Sequence, residues 1–365
     1  MSTETLELTD SSAALREGVE RALSEYLDVD YWHRLESGGN EAVHDPDLWA
    51  LVSDLAIPTL LLDESRGGAD ASLLEAHGAL EALGALAVPG PAADSMLANW
   101  CASRAGLTLT SERATFGPAN PQDNVALTRT ADGVEVHAGL RAVPFARHID
   151  TLLVQGMLDG EQYLCAIATD ADGFKAQASH SLNGEARDDV DIDVRLTSAQ
   201  IAPAGPVNLH VAGAAMRAVQ MAAALNAALD MCIEYVRERQ QFGRPLAKFQ
   251  AIQQQLAVMT ALATNAQVGA RRAFATLAGP NPEIAVAAAK VAAGQAASQG
   301  AAIAHQVHGA MGFTAEYGLH RLTRRLWTWR EEYGNEAWWS RQLGTTALTG
   351  GADSLWDMII DEPAA

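Results

Sequence analysis

The sequence predicts an α+β protein in which a helical segment, a small antiparallel β domain and a helical bundle follow one another along the chain. Three observations predict it. Leu, Ala and Val recur at helical spacing before about residue 113. Short β-branched runs separated by turn pairs fill the stretch from 114 to 206. Long Ala-rich apolar stretches then run from 207 to 365. The domain boundaries expected from these changes are 1–113, 114–206 and 207–365.

In the first segment the apolar period runs from Leu6 to Leu27 and from Leu73 to Leu86. Between them Ile57 to Glu64 leads into Arg66-Gly67-Gly68, a breaker before Ser72 caps the next helix. The middle segment offers Val125–Thr128, Gly133–His137, Thr151–Val154 and Tyr163–Ile167 as strands. Asp132-Gly133, Asp159-Gly160, Asp172-Gly173 and Asn183-Gly184 supply turn residues suited to positive φ. Four long helices are predicted after Val207, over Leu209–Arg239, Lys248–Leu277, Pro282–His308 and Leu319–Arg330, with a terminal segment to Ile360. Helices without wide charged faces pack on several sides, so this bundle is expected to continue into a neighbouring subunit.

Composition narrows the function. With 45 Asp and Glu against 25 Lys and Arg, the formal charge of −20 argues against nucleic-acid binding, which needs clustered cations to release phosphate counterions. Cys101, Cys165 and Cys232 lie far apart and form no CxxC pair, so they read as buried thiols. A polar, acidic start carries no secretory signal, and Ala212 to Leu229 is interrupted by Arg217, Gln220 and Asn226; a cytoplasmic chain without a membrane span is expected.

Two blocks in the third segment carry chemistry. Arg237-Glu238-Arg239-Gln240-Gln241-Phe242-Gly243-Arg244-Pro245 leads to Phe249-Gln250. A guanidinium fork matches phosphate oxygens, and Gly243 lets the chain turn close to a ligand. About sixty residues on, Gln306-Val307-His308-Gly309-Ala310-Met311-Gly312-Phe313 places two glycines where backbone amides can approach a ligand without an intervening Cβ.

In this order and spacing the blocks resemble the acyl-CoA dehydrogenase family. Leu55-Ala56-Ile57-Pro58 through Glu64, Gly67 and Gly68 resembles that family's entry to its substrate-side helices. The resemblance implies FAD as cofactor, with Arg239 at the pyrophosphate of a neighbouring subunit's FAD and Gln241, Phe242, Gln250, Gln306, Gly309 and Ala310 beside it. It implies an acyl-CoA thioester as substrate, an electron-transfer flavoprotein as electron acceptor, and a homo-oligomer or an α2β2 assembly with a second subunit of the family.

The chain departs from the family where a catalytic base is needed. Family members remove the acyl α-proton with a carboxylate, which must lie within hydrogen-bond reach. The usual base position falls on Tyr333, and the alternative one near Gly213. Glu332 reaches the base position only with a one-residue shift and is the weak catalytic candidate. The two flavin-ring segments correspond to Phe116–Asp123 and Arg141–Ala146, where Pro144 has no N–H to donate.

The expected function is FAD-dependent α,β-dehydrogenation of an acyl-CoA, the acyl group being bulky or of steroid side-chain type. The alternative is a catalytically silent subunit that completes the FAD site of an unlike partner. A flavin oxidase or monooxygenase of the same fold is a third reading. Trp327, Trp329, Trp338 and Trp339 are expected in a core or interface, with an acyl pocket as the alternative. His305 and His308 have no carboxylate or thiol arranged with them, so no metal site is expected. Arg321, Arg324 and Arg325 are expected to pair with surface carboxylates, with CoA phosphates as the alternative.

Overall fold

The computed structural model describes residues 3–38 and 45–350. Its first helices are α1 (Thr3–Tyr26), α2 (Val29–Ser37), α3 (Pro46–Asp54), α4 (Leu73–Ala85) and α5 (Ala92–Arg104). Ser72 caps α4 as expected: its side chain accepts from the Glu75 N–H, and the Glu75 carboxylate accepts from the Ser72 N–H. Two 3-10 turns, Ile57–Thr59 and Glu64–Arg66, occupy the breaker region.

Eight strands follow: β1 (Ala114–Gly117), β2 (Val125–Thr130), β3 (Gly133–Pro144), β4 (Thr151–Leu158), β5 (Glu161–Ala168), β6 (Phe174–Gln177), β7 (Arg187–Leu196) and β8 (Ile201–Pro203). They form one sheet in the order β6-β7-β3-β2-β4-β5-β8, with β1 paired to β4. The sheet is mainly antiparallel, as expected, and β1 and β2 each add a parallel pairing with β4. Turn pairs reveal local hairpins only: Asp132-Gly133 and Asp159-Gly160 sit at the β2–β3 and β4–β5 turns, whereas the parallel pairs join strands distant in sequence. Alternation along β7 puts Val190, Ile192, Val194 and Leu196 into a separate core for the sheet.

The third segment contains α6 (Leu209–Glu238), α7 (Gln250–Ala275), α8 (Glu283–His308), α9 (Leu319–Glu331) and α10 (Glu336–Gly350). The α7 start corrects the expected one: Leu246–Lys248 form a 3-10 turn, and the helix begins at Gln250. The terminal helix ends its described course at Gly350, so the expected continuation to Ile360 lies outside the described residues. Helix α6 is the axis of the molecule. Over Val211–Leu225 it is buried on every side, with Ala and Met positions all round it, so α4, α7, α8 and α9 can all pack against the helix. Helices of the first and third segments thereby share one continuous core. None of the described helices is long and apolar enough to cross a membrane.

Candidate active site and cofactor surface

Arg239 follows the last residue of α6, where the chain leaves the helix with φ −70° and ψ 124°. A two-strand turn comes next, β9 (Gln240–Gln241) against β10 (Arg244–Pro245), with Phe242 at φ 51° and Gly243 at φ 78° at its tip. Phe242 is 91% exposed, and Arg239, Gln241 and Gln250 are exposed as well. The Leu246 N–H donates to the Arg239 carbonyl at 2.8 Å, closing the loop. Arg244 lies over the Phe249 ring, 4.2 Å from its centroid.

Helix α8 ends on the second block. Gly309 takes φ 58° and ψ −136°, and a 3-10 turn runs to Phe313. Gln306, Gly309 and Ala310 are exposed. A Cβ at Gly243 or Gly309 would meet nothing within 4 Å, so both turns are open toward whatever faces them. The two blocks therefore present cations, side-chain amides, accessible backbone and two aromatic rings, Phe242 and Phe313, on the surface. That donor set fits the phosphates and a planar ring of a dinucleotide such as FAD.

The base region is built differently. The α9–α10 connection places Glu332 and Tyr333 in the interior, with Tyr333 at φ 53° and Gly334 at φ 85°. Glu332 Oε1 accepts from Arg187 Nε at 2.6 Å, and its Oε2 accepts from Arg217 Nε at 2.6 Å. Arg217 also donates to Asp94 at 2.8 Å, while Arg187 donates to Glu185 at 3.2 Å and Arg325 to Glu185 at 2.8 Å. The result is an alternating buried chain, Asp94–Arg217–Glu332–Arg187–Glu185–Arg325. Burial alone would raise the Glu332 carboxyl, but Arg187 and Arg217 outweigh it and hold it below the usual carboxylate range. A carboxylate with both oxygens engaged and a depressed pKa is a poor proton acceptor.

Tyr333, at the position where the family's base would fall, is fully buried and stacks on Phe116 with centroids 5.2 Å apart. Its hydroxyl donates to the Phe116 carbonyl at 3.2 Å, and its N–H donates to the Ala119 carbonyl at 2.8 Å. The Tyr333 ring also covers Gly213, the alternative base position, so closely that a Cβ there would collide with ring carbons. Arg187 lies 4.8 Å over the ring of Phe145. The segments corresponding to the flavin-ring walls, 116–123 and 141–146, thus close directly onto Tyr333 and onto Arg187, the partner of Glu332. A hollow of about 500 Å³ lies elsewhere, on the outer face of the sheet near His137, Lys175, Asp191 and Asp193.

Lys290 on α8 fixes this connection. Its Nζ donates to the carbonyls of Trp329, Arg330 and Gly334 at 3.1, 2.8 and 2.8 Å, satisfying two carbonyls of the last turn of α9 and one of the connection. Burial pushes the ammonium down to about 7, against an ordinary value near 10.5. A depressed lysine leaves the unfolded chain holding more protons between those values, so its contribution to stability rises with pH from about 7 to 10.5, by at most about 1.4 kcal/mol per pH unit. Lys290→Met is expected to flatten that part of the profile; chemical denaturation at a series of pH values would reveal an unchanged slope if Lys290 were not its source.

Other expected residues have structural partners. Arg321 pairs with Glu36 at 2.7 Å and lies over Trp32, Arg324 donates to the Leu182 carbonyl at 2.6 Å, and Arg325 belongs to the buried chain. Trp329 and Trp339 are buried, while Trp327 is 37% exposed. His305 contacts Thr323 Oγ1 and His308 contacts Tyr317, and among the described residues no group of His, Cys, Asp or Glu could hold a metal. Three residues of the buried chain, Asp94, Arg187 and Glu185, carry no sequence signal, because apart from the Arg187–Glu185 pair, two residues apart, their partners are remote in the chain.

A family model described as "Acyl-CoA dehydrogenase, C-terminal domain" matches residues 211–346, the helical stretch that carries both blocks. With the fold and the two blocks, this stretch is similar to an acyl-CoA dehydrogenase C-terminal domain, and FAD-dependent dehydrogenation of acyl-CoA thioesters is the activity of that family. Among curated proteins the chain is similar to the acyl-CoA dehydrogenase IpdE2 of Mycobacterium tuberculosis, 28% identical over 287 residues, covering 77% of this chain and 80% of that protein. Among solved structures it is similar to the ChsE4-ChsE5 complex from Mycobacterium tuberculosis, at 21% identity and a TM-score of 0.84, covering 93% of this chain and 98% of that one. It is also similar to PigA with FAD and proline, at 16% identity and a TM-score of 0.79, covering 93% and 98%.

Proposed function

We propose that this chain works as one subunit of a heteromeric acyl-CoA dehydrogenase, giving the Arg239 and Gln306–Ala310 surface to the FAD of an unlike subunit that supplies the catalytic base. The observation that carries this is the closed interior: Tyr333 fills the space over Gly213, and Arg187 and Arg217 neutralise Glu332. Bound FAD would supply hydride acceptance. Arg239 would pair with its pyrophosphate, Gln241, Gln250 and Gln306 would offer amide hydrogen bonds, and Phe242 an aromatic face. The chain's own ring half does not fit the cofactor, because the residues of its walls contact the Tyr333 and Arg187 that occupy it.

The similarity to IpdE2 supports an acyl-CoA substrate and that to the ChsE4-ChsE5 complex a heteromeric assembly; the proposed acyl group is bulky and steroid-derived, in keeping with the similarity of the fold to the Tcur3481-Tcur3483 steroid ACAD. An electron-transfer flavoprotein remains the proposed acceptor and the cytoplasm the proposed location. Flavin counting tests the central claim. The chain purified alone should hold little FAD, and its assembly with an unlike family subunit should hold about one FAD per two chains, because each family FAD needs a ring half and a pyrophosphate half. A homo-oligomer with one FAD on every chain, active on an acyl-CoA, would overturn it.

A further inference from the structure

The two cofactor blocks are remote in sequence, yet one aromatic cluster joins them. Tyr235 lies one helical turn before Arg239, whose N–H donates to the Tyr235 carbonyl at 2.9 Å. His308 immediately precedes Gly309. The Tyr235 and His308 rings pack with centroids 4.6 Å apart, and Tyr317, from the chain after the second block, packs on His308 at 4.8 Å and on Tyr235 at 6.0 Å. His308 is 2% exposed.

The hydrogen bonds of His308 fix its tautomer. Nδ1 lies 2.8 Å from the Ala304 carbonyl, which only accepts, so Nδ1 carries the proton. Nε2 is then an acceptor, and the Tyr317 hydroxyl donates to it at 3.1 Å in preference to the Met231 carbonyl, which lies 3.5 Å away. Burial lowers the His308 pKa and favours this neutral form. Gly312 sits with its Cα close to the His308 side chain, where a Cβ would stand 3.0 Å from His308 Cβ, so the turn wraps around the ring it depends on.

We propose that Tyr235, His308 and Tyr317 are positioning residues that hold the Arg239 turn and the Gly309–Phe313 turn in the mutual register needed to grip one FAD. This rests on the proposed role of those two turns as the donated half of a partner's cofactor site. None of the three need touch the cofactor. Tyr235 locks the end of α6, His308 locks the end of α8, and the Tyr317 hydroxyl closes the loop back onto His308.

The test is the FAD dissociation constant of the apo-complex, titrated with FAD by flavin fluorescence, with subunit ratio and melting temperature measured on the same samples. Tyr317→Phe removes one hydroxyl from a half-buried ring, so it should weaken FAD binding by about threefold to tenfold without altering assembly or melting temperature. His308→Leu should weaken it at least as much, and the double variant no further, because both break the same contact. His308→Gln, whose amide oxygen can accept from Tyr317, should recover most of the affinity. Arg239→Ala separates the two claims, since loss of a charge-assisted phosphate contact should weaken binding by about tenfold to a hundredfold. If Arg239→Ala loses FAD while Tyr317→Phe and His308→Leu bind it as the unaltered complex does, the positioning role is overturned and the donated site stands. If Arg239→Ala also binds FAD normally, the donated site itself fails. Should His308→Leu not assemble, Tyr317→Phe alone decides.

Discussion

Arg217→Met is expected to lower the unfolding free energy by about 3–5 kcal/mol, the cost of stranding a buried charge. Arg217 is 1% exposed and serves Asp94 and Glu332, both buried, together with the side chain of Gln220 at 2.6 Å. Removing it leaves two carboxylates in the interior with one arginine, Arg187, between them and Glu185. Burial lowers the Arg217 pKa, but its two carboxylate partners, Asp94 and Glu332, outweigh that cost and raise it on balance. Met keeps much of the aliphatic volume, so the loss should be electrostatic rather than a packing defect. Denaturant unfolding at pH 7 measures it, and a companion measurement checks the cause. At lower pH the stranded carboxylates can take up protons, so the gap between variant and parent should narrow as pH falls. A variant as stable as the parent, or a gap independent of pH, would show that the buried chain is not the joint between the α5, α6, β7 and α9 elements that it spans.

The same residues show how far the sequence can be read. Helix periods and turn pairs are local signals, and α4, α6, α8 and the β2–β3 hairpin were legible from them. The parallel pairing of β1 and β2 with β4 was not, since nothing local specifies which distant strand lies alongside. The two blocks proposed to face a cofactor were legible as turns because Arg, Gly and Gln at fixed offsets carry their chemistry with them. In the base region the sequence marked what was missing: a tyrosine and a glycine where a carboxylate belongs. It did not mark what had replaced it. Arg217 read as an interruption in an apolar helix, and only the fold brings it to Glu332, 115 residues away in the chain. Glu332 itself has the right chemistry for a base, and the two guanidiniums beside it remove that chemistry.

The second large effect is expected at Tyr333. Tyr333→Ala should cost about 3–5 kcal/mol, the range for emptying a buried aromatic site, because the ring is fully buried against Phe116 and Gly213 and its hydroxyl satisfies the Phe116 carbonyl. Gly213→Ala should also destabilise, by about 1–3 kcal/mol, since the new methyl would collide with a ring that has no room to move. If the two residues fill one space, the penalties are not additive: in the double variant the alanine at 213 meets no ring and recovers part of the lost packing, so the combined loss should fall short of the sum by about 0.5–3 kcal/mol. A functional measurement separates this from ordinary core repacking. Because the proposed site lies on the surface turns and the proposed base on the unlike subunit, Tyr333→Ala should leave acyl-CoA turnover per bound flavin within about twofold in any complex that still assembles. Additive penalties would show that Tyr333 and Gly213 do not share a space. A loss of turnover by several orders of magnitude, with FAD still bound, would place Tyr333 in the reacting site and return the chemistry to this chain.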